Sequence, residues 1–165
     1  MEIERKFLID RYPDLPEQQR IQMLQGYLAT GPAVRVRSEQ PQDKEGNPLG
    51  NTRYILCIKG KGQLVREEIE LEIENAIFQR LCALLDAPLI CKELRTYRLP
   101  DGHLLECSLV DRGLPCSFMY AEVEFSSREE ALAFQPPDCL GRELTEEPSA
   151  SMSAYWQRRK EYLPT

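Results

Sequence analysis

Glutamate residues lie two positions apart in three segments of this chain. The pairs are Glu2 and Glu4, Glu68 and Glu70, and Glu122 and Glu124. Residues two apart share one face of a β-strand, so each pair can present two carboxylates to a common ligand. Mg²⁺ and Mn²⁺ take oxygen ligands, and pairs from separate strands can converge on one or two such cations. The spacing therefore indicates a divalent metal site.

Basic residues follow the same alternation and belong to the same strand faces. They are Lys6, Arg35, Arg37, Lys59 and Arg66. Arginine and lysine side chains neutralise phosphate oxygens, and a triphosphate has enough negative charge to need several of them. Acidic and basic groups in one cavity together predict a metal ion with a polyphosphate. The alternative is an open antiparallel sheet with a solvated charged face, which also explains the alternation.

The elements that must position these residues are mainly strands. Period-two alternation predicts strands at 1–7, 33–37, 54–59, 66–73 and 120–125, with further strands at 26–29, 92–99 and 103–109. Helices are predicted at 17–24, 74–86, 127–134 and 151–163, with their apolar faces on the outer side of the sheet. The polar segment 38–51 predicts a long mobile hairpin loop. The fold class is α+β, with a barrel of about eight antiparallel strands that could enclose one small ligand.

Composition limits the class of protein. The chain has 165 residues, which predicts a single domain over 1–165, and its residues are 42% hydrophobic and 29% charged. It has no apolar run of the roughly 18 residues that a spanning helix needs, and its charged beginning argues against a signal peptide. We therefore expect a soluble cytoplasmic protein with no membrane partner. The net charge of −6 argues against general nucleic-acid binding.

Ordered sequence blocks resemble the CYTH, or triphosphate-tunnel, superfamily. The first block is EIERKF (2–7), which is similar to the E-x-E-x-K signature that opens these proteins. The other blocks are GYL (26–28), VRVR (34–37), ILCIKG (55–60), REEIELEI (66–73), AEVEF (121–125) and GRELTEEP (141–148). A lone E-x-E-x-K is a weak signal, whereas ordered blocks over nearly the whole chain are a strong one.

The resemblance implies a closed eight-stranded antiparallel tunnel, with helices packed outside, that binds a triphosphate with Mg²⁺ or Mn²⁺. The implied metal ligands are Glu2, Glu4, Glu122 and Glu124, supported by Glu68 and Glu70. The implied phosphate-binding residues are Lys6, Arg35, Arg37, Lys59 and Arg66. Glu4, Glu70 and Lys6 are the catalytic candidates.

Three positions depart from the family pattern. The segment KELRTYR (92–98) replaces a K-x-R-Y strand, so Arg95 is our first choice for a phosphate contact and Lys92 our second. Ser108 stands where a metal-supporting aspartate is expected, and Ser149 where a basic residue is expected. We therefore expect a weakened site with slow turnover, unless another arginine compensates. The candidates for that compensation are Arg142, Arg158 and Arg95.

The leading functional hypothesis is metal-dependent hydrolysis of tripolyphosphate or a related organic triphosphate. One alternative is a class IV adenylate cyclase, although the sequence contains no recognisable adenine pocket. Another alternative is a non-catalytic binder of phosphorylated ligands, which the serine departures favour. The expected partner is a small polyphosphate or organic triphosphate, and the expected state is a monomer or homodimer.

Overall fold

The alternating segments of the sequence form nine strands in the computed structural model, which describes residues 1–164. The strands are β1 (Glu2–Ile9), β2 (Glu17–Thr30), β3 (Ala33–Gln42), β4 (Arg53–Lys59), β5 (Val65–Arg66), β6 (Glu68–Ile73), β7 (Ile90–Arg98), β8 (Leu104–Val110) and β9 (Phe118–Glu124). The helices are α1 (Asn75–Cys82), α2 (Arg128–Ala133) and α3 (Met152–Arg159), with short 3₁₀ turns at Pro148–Ala150 and Lys160–Tyr162. Neighbouring strands pair antiparallel, in the order β5-β1-β9-β8-β7-β2-β3-β4-β6.

Strands β5 and β6 nearly close the sheet into a barrel. They lie at the two ends of the strand order, yet only Glu67 separates them along the chain. β5 pairs with β1 and β6 pairs with β4, so one short segment joins both edges. The predicted strand at 66–73 is therefore divided in two, and the barrel has nine strands instead of eight.

The predicted helix at 17–24 is wrong, because these residues begin the long strand β2. The segment EQQRIQML is rich in residues with good helix propensity, which is a weak preference that tertiary pairing overrides. Here β2 pairs with β3 on one side and with β7 on the other. The resulting backbone hydrogen bonds and packing outweigh the local preference.

The predicted loop at 38–51 starts too early, because β3 continues to Gln42 and includes Pro41. The connection that follows is organised around Asp43. Its carboxylate Oδ1 accepts hydrogen bonds from the backbone N–H groups of Glu45 at 3.0 Å and Asn47 at 2.8 Å. Such side-chain turns replace the backbone pairing that a polar loop lacks.

The hydrophobic core lies largely outside the barrel wall, between the sheet and the helices. Phe7, Leu105 and Val123 belong to one buried cluster, which Phe134 completes at the end of α2. A second cluster joins Trp156 of α3 to the strands. This arrangement leaves the charged strand faces directed inward.

Helix α3 differs from the expected packing, because its first residues form part of the barrel's inner wall. Arg159 at its end donates to the carboxylate of Asp111, with the Nε atom 2.9 Å from Oδ2. Tyr155 donates its hydroxyl to the same oxygen at 2.6 Å. This buried network holds α3 in a fixed position on the barrel. Within residues 1–164, the helices are all too short or too polar to cross a membrane.

Candidate functional site

The inward strand faces surround a cavity of about 810 Å³. Its acidic lining residues are Glu2, Glu4, Glu39, Glu68, Glu70, Glu106, Glu122, Glu124 and Glu147. Its basic lining residues are Lys6, Arg35, Arg37, Lys59, Lys61, Arg66 and Lys92. The open solvated sheet is therefore excluded as the explanation of the alternation, because these charges face an enclosed volume.

The strand register brings the first and last glutamate pairs together. Glu4 lies opposite Glu124, and Lys6 lies opposite Glu122, in the pairing of β1 with β9. Directly opposed residues in an antiparallel pair have Cβ atoms about 5 Å apart. The four carboxylates predicted to share a metal thus project from adjacent strands into one part of the cavity.

Glu4 and Glu122 lie close together in the cavity, and their pKa values shift in opposite directions. Burial and the neighbouring carboxylates of Glu122 and Glu2 raise the pKa of Glu4. Burial acts in the same direction on Glu122, but the ammonium groups of Lys6 and Lys92 lower its pKa overall. The two carboxyl groups contact each other, and this contact adds to the raised pKa of Glu4 and to the lowered pKa of Glu122.

Two basic residues contact the carboxylates of β1, and one of them, Lys59, also contacts β6. Lys59 Nζ lies 3.0 Å from Glu2 Oε1 and 3.2 Å from Glu68 Oε2. Arg66 donates from Nε to Glu2 at 2.9 Å and from a terminal nitrogen to Glu4 at 3.2 Å. Buried charges are tolerated when they are paired in this way. The same side chains can turn toward an anionic ligand.

Glu68 and Glu70 form a second acidic group with Cys57. The potential ligand atoms of these three residues lie within 4.8 Å of one another. Burial raises the pKa of the Cys57 thiol, which keeps it protonated near neutral pH. The carboxylates are therefore the better donors here, and they suit a hard cation.

Both arginines of β3 reach the cavity. Arg37 contacts Glu39 at 2.7 Å and Glu70 at 3.1 Å through one terminal nitrogen. Arg35 lies deeper and is almost fully buried. Their alternation with Val34 and Val36 thus directs both guanidinium groups inward, as predicted.

Lys6 contacts the segment that precedes α3. Its ammonium donates to the backbone carbonyl of Ala150 at 2.8 Å and lies 4.2 Å from the centre of the Tyr120 ring. Burial lowers the pKa of Lys6, even though Glu122 and Glu4 act in the opposite direction. Lys6 therefore lies between the acidic cluster and the wall formed by residues 148–153.

The structure places Arg95 outside the cavity and Lys92 inside it. Arg95 stacks on the ring of Tyr12 at 4.0 Å and lies 3.8 Å from a carboxylate oxygen of Glu17. Lys92 lines the cavity and donates to the Tyr120 hydroxyl at 2.9 Å. The two residues are three positions apart, so a strand must direct them to opposite faces. Lys92, our second choice, is the one in position to contact a ligand.

Glu106 is a candidate site residue that the sequence interpretation did not assign. It lies opposite Glu122 in the pairing of β8 with β9 and lines the cavity. Burial, together with Glu122 and Glu124, raises its pKa to about 7. Its neighbours on the same strand face, Leu104 and Ser108, are uncharged. Glu106 therefore has no glutamate two positions away, and the E-x-E spacing does not identify it.

The two serine departures lie outside the ligand-accessible lining. Ser108 is fully buried on the strand face that also carries Glu106, and Ser149 is exposed. The proposed substitutes are also engaged elsewhere: Arg142 pairs with Glu147, and Arg158 donates to the Ser149 carbonyl at 2.6 Å. The basic residues that line the cavity in addition to the implied phosphate-binding set are Lys61 and Lys92, our second choice.

Comparisons with known proteins give one relative with high coverage. No known family profile matches the chain. The inorganic triphosphatase of Nitrosomonas europaea is 35% identical over 147 residues, which cover 88% of this chain and 90% of that protein. The crystal structure of an inorganic triphosphatase has a TM-score of 0.63 and 31% identity, and the match covers 94% of this chain and 93% of that chain. A Hippeastrum protein assigned as an adenylyl cyclase, with a dominant triphosphatase activity, shares the fold at a TM-score of 0.52 and 18% identity, over 80% and 83% of the two chains.

Proposed function

This chain belongs to the CYTH, or triphosphate-tunnel, family, and we propose that it hydrolyses inorganic tripolyphosphate with the help of Mg²⁺ or Mn²⁺. One observation carries the proposal. Paired glutamates from three strands and a set of lysines and arginines face the same enclosed cavity. Carboxylates alone would suit a cation, and basic residues alone would suit an anion. Their combination suits a metal ion bound to a polyphosphate.

The donor set of the cavity fits a hard divalent cation. Carboxylate oxygens of Glu2, Glu4, Glu122 and Glu124 would hold it, with Glu68 and Glu70 in support, and Glu106 is close enough in register to join them. When bound, such a cation supplies charge neutralisation at phosphate oxygens. Magnesium and manganese share these ligand preferences, so the choice between them is open to measurement.

The basic residues would bind and orient the phosphates. Arg35, Arg37 and Lys92 come from β3 and β7, whereas Lys6, Lys59 and Arg66 surround the glutamates of β1. Each charge-assisted contact contributes about 1.5 to 3 kcal/mol. Phosphoryl transfer depends mainly on such positioning and charge stabilisation. This arrangement would hold the terminal phosphate in line for attack.

Glu70 is our candidate for holding the attacking water. Glu4 is one of the proposed metal ligands and contacts Arg66 and Glu122. In contrast, 41% of the Glu70 side chain is exposed. Its carboxylate would accept a proton from water as the oxygen attacks the terminal phosphorus. The bond to the bridging oxygen then breaks, so diphosphate leaves and orthophosphate forms.

The test is an assay of the purified protein with tripolyphosphate, ATP and thiamine triphosphate, each with Mg²⁺ or Mn²⁺. We expect orthophosphate from tripolyphosphate and no cyclic nucleotide from ATP. Cyclic AMP would instead support the adenylate cyclase alternative. Tight binding of tripolyphosphate without phosphate release would support the non-catalytic binder.

The variant Glu122→Gln tests the metal cluster within that assay. Removing one partly buried carboxylate of the cluster should lower the turnover rate by about a hundredfold or more. Glu72→Gln is the matched control, because Glu72 pairs with Arg53 and its side chain is 63% exposed. Equal activity of wild type and Glu122→Gln would contradict the assignment.

Location and assembly remain predictions from the sequence. We propose a cytoplasmic protein that is a monomer or homodimer and that binds neither nucleic acid nor membranes. Light scattering after size exclusion would give the mass in solution. Binding assays with RNA and with anionic vesicles would check the two expected absences.

A further inference from the structure

Gln25 is a buried side chain on the inner face of β2. It lies between Met23 and Tyr27, which both line the cavity, and the alternation of the strand gives it the same direction. Its exposed fraction is 0%. Neither its amide oxygen nor its amide nitrogen has a hydrogen-bond partner among residues 1–164. Such a group in a folded protein requires a specific explanation.

The two arginines of β3 have matching unpaired donors. Gln25 lies directly opposite Arg37, and Tyr27 lies opposite Arg35, in the pairing of β2 with β3. The Nε atoms of both arginines are buried and have no partner in the described chain. Direct and diagonal neighbours across an antiparallel pair are within reach of long side chains. One acceptor and two donors thus face each other without bonding.

The contacts of Arg37 explain why its Nε–H group does not bond to the Gln25 amide. Its terminal nitrogen is held by Glu39 at 2.7 Å and Glu70 at 3.1 Å. The guanidinium group is therefore oriented toward these two carboxylates instead of toward the Gln25 amide. An anion in the cavity would compete with them for its terminal N–H groups, and the Nε–H could then turn toward the Gln25 amide.

We propose that Gln25 is a substrate-positioning residue, an inference that rests on the proposed function. Its amide oxygen accepts hydrogen bonds from the Nε–H groups of Arg35 and Arg37 when the terminal N–H groups of these arginines hold phosphate. A carbonyl-type oxygen has two lone pairs and can serve both donors. Gln25 acts through the arginines and does not itself touch the reacting atoms.

Stability and binding should respond to Gln25 in opposite ways. An unpaired buried amide is unfavourable in the free protein, so an apolar side chain of similar size should leave the fold equally stable or make it more stable. The same change removes the acceptor that aligns both arginines in the complex. A residue with a merely structural role would lose stability and binding together.

The experiment compares Gln25→Leu and Gln25→Met with wild type. Binding of tripolyphosphate with Mg²⁺ is measured by calorimetry, turnover by phosphate release, and stability by thermal unfolding. We expect a midpoint equal to or above that of wild type, a KM and Kd raised about tenfold, and a kcat within about threefold. Gln22→Leu is the control, because Gln22 lies on the outer face of β2, where it contacts Cys91.

The outcomes distinguish a positioning role of Gln25 from a merely structural one. Wild-type binding that persists unchanged in both folded Gln25 variants would overturn the positioning role and leave the proposed function intact. A loss of binding that only follows a loss of folded protein would also overturn it. Failure of wild type itself to bind tripolyphosphate would refute both this inference and the proposed function.

Discussion

Lys92 is a lysine whose charge depends closely on its surroundings. Burial lowers its pKa to about 7, and the cations Arg35 and Arg37 act in the same direction, while Glu122 opposes them. Lys92 therefore loses its proton far more readily than a solvent-exposed lysine. A phosphate beside the ammonium would favour the charged form. Lys92 is thus suited to respond to an anionic ligand.

Replacing Lys92 should weaken substrate binding much more than replacing Arg95. Lys92→Met removes a cavity-lining cation, and we expect KM for tripolyphosphate to rise by about tenfold or more. Arg95→Met removes a cation that stacks on Tyr12 outside the cavity, and we expect KM within about twofold. Steady-state kinetics at a fixed metal concentration would measure both. A larger effect of Arg95→Met would mean that the strand register is wrong.

At the residue scale, the sequence predicted those site residues whose charge recurs every second position. Glu2 with Glu4 and Arg35 with Arg37 are such pairs, and the structure directs all four to the cavity. Glu106 lacked a charged neighbour at that spacing. Lys92 and Arg95 compete for one role in the family pattern, yet strand geometry alone excludes their sharing a face. The sequence alone is therefore enough to place them on opposite faces.

At the scale of elements, His103 links the turn between β7 and β8 to helix α2. Its Nε2 atom lies 3.0 Å from Glu130 and its Nδ1 atom 2.9 Å from Asp101. The ring packs edge-on against Phe125 and Phe134. The neighbouring Asp101 carboxylate, followed by the hydrogen bond with Glu130, raises the pKa of His103. His103 is therefore a contact between two elements of the fold.

This contact should stabilise the fold most strongly at acidic pH. Because the folded state has the higher pKa, the stabilisation is fully present below the unfolded value of 6.5 and is lost as pH rises through the folded value. Both carboxylates have lowered pKa values and keep their charge in mild acid. We expect the difference in unfolding midpoint between wild type and His103→Gln to be larger at about pH 5.5 than at about pH 8.5. A difference that grows with pH would contradict the contact.

Element prediction succeeded where pattern and propensity agreed. Helix α2 begins after Ser127, whose hydroxyl accepts from the Glu130 N–H group as the capping pattern predicts. Strand β2 was missed at its start because residues 17–24 favour a helix locally. The partners that convert them to a strand lie far along the chain, on β7. Such pairing leaves no local signal.

For the molecule as a whole, closure of the barrel depends on the turn between β4 and β5. Gly62 lies in this turn with a φ angle of 130°. A Cβ atom there would clash with the carbonyl oxygen of Val65. The turn carries Lys61 into the cavity and positions Arg66, which contacts Glu2 and Glu4. Closure and the binding site therefore share one backbone constraint.

Gly62→Ala should destabilise the protein and weaken substrate binding together. Backbone strain of this kind costs about 1 to 3 kcal/mol, and relief of the clash must displace β5. Gly46→Ala is the control, because its φ angle of 86° imposes a similar backbone penalty with no atom within 4 Å of the added Cβ. Urea denaturation would measure the loss of stability, and KM would measure the loss of substrate binding. Equal behaviour of the variants would show that the clash is relieved without moving β5.

The closed barrel itself was predictable from the resemblance, because ordered blocks spanning the chain define the family's fold. The strand pairing that joins its two edges was not predictable from the sequence. β5 has only two residues, Val65 and Arg66, and its pairing with Ile3 and Glu2 joins segments some 60 residues apart. So short a strand has no periodicity to detect. Only the three-dimensional register reveals the break at Glu67.

The charge balance of the whole cavity makes the affinity for tripolyphosphate depend on the metal. Its lining contains more carboxylates than basic groups, and the chain has a net charge of −6. Many of the basic groups are already paired, as Lys59 and Arg66 are with Glu2. Tripolyphosphate entering alone would therefore meet net repulsion, and a divalent cation would reverse it. We expect its affinity to fall by about a hundredfold or more when a chelator removes the metal.

The effect of Glu122→Gln on tripolyphosphate affinity should then reverse when the metal is removed. With Mg²⁺ present it should bind tripolyphosphate more weakly than wild type, because a metal ligand is lost. With chelator it should bind more tightly than wild type, because a buried negative charge beside Lys6 and Lys92 is gone. Calorimetric titration of both proteins under both conditions measures this reversal. Weaker binding by Glu122→Gln under both conditions would mean that Glu122 serves mainly to hold those two lysines in place for the anion, and that the cavity recruits tripolyphosphate without a cation.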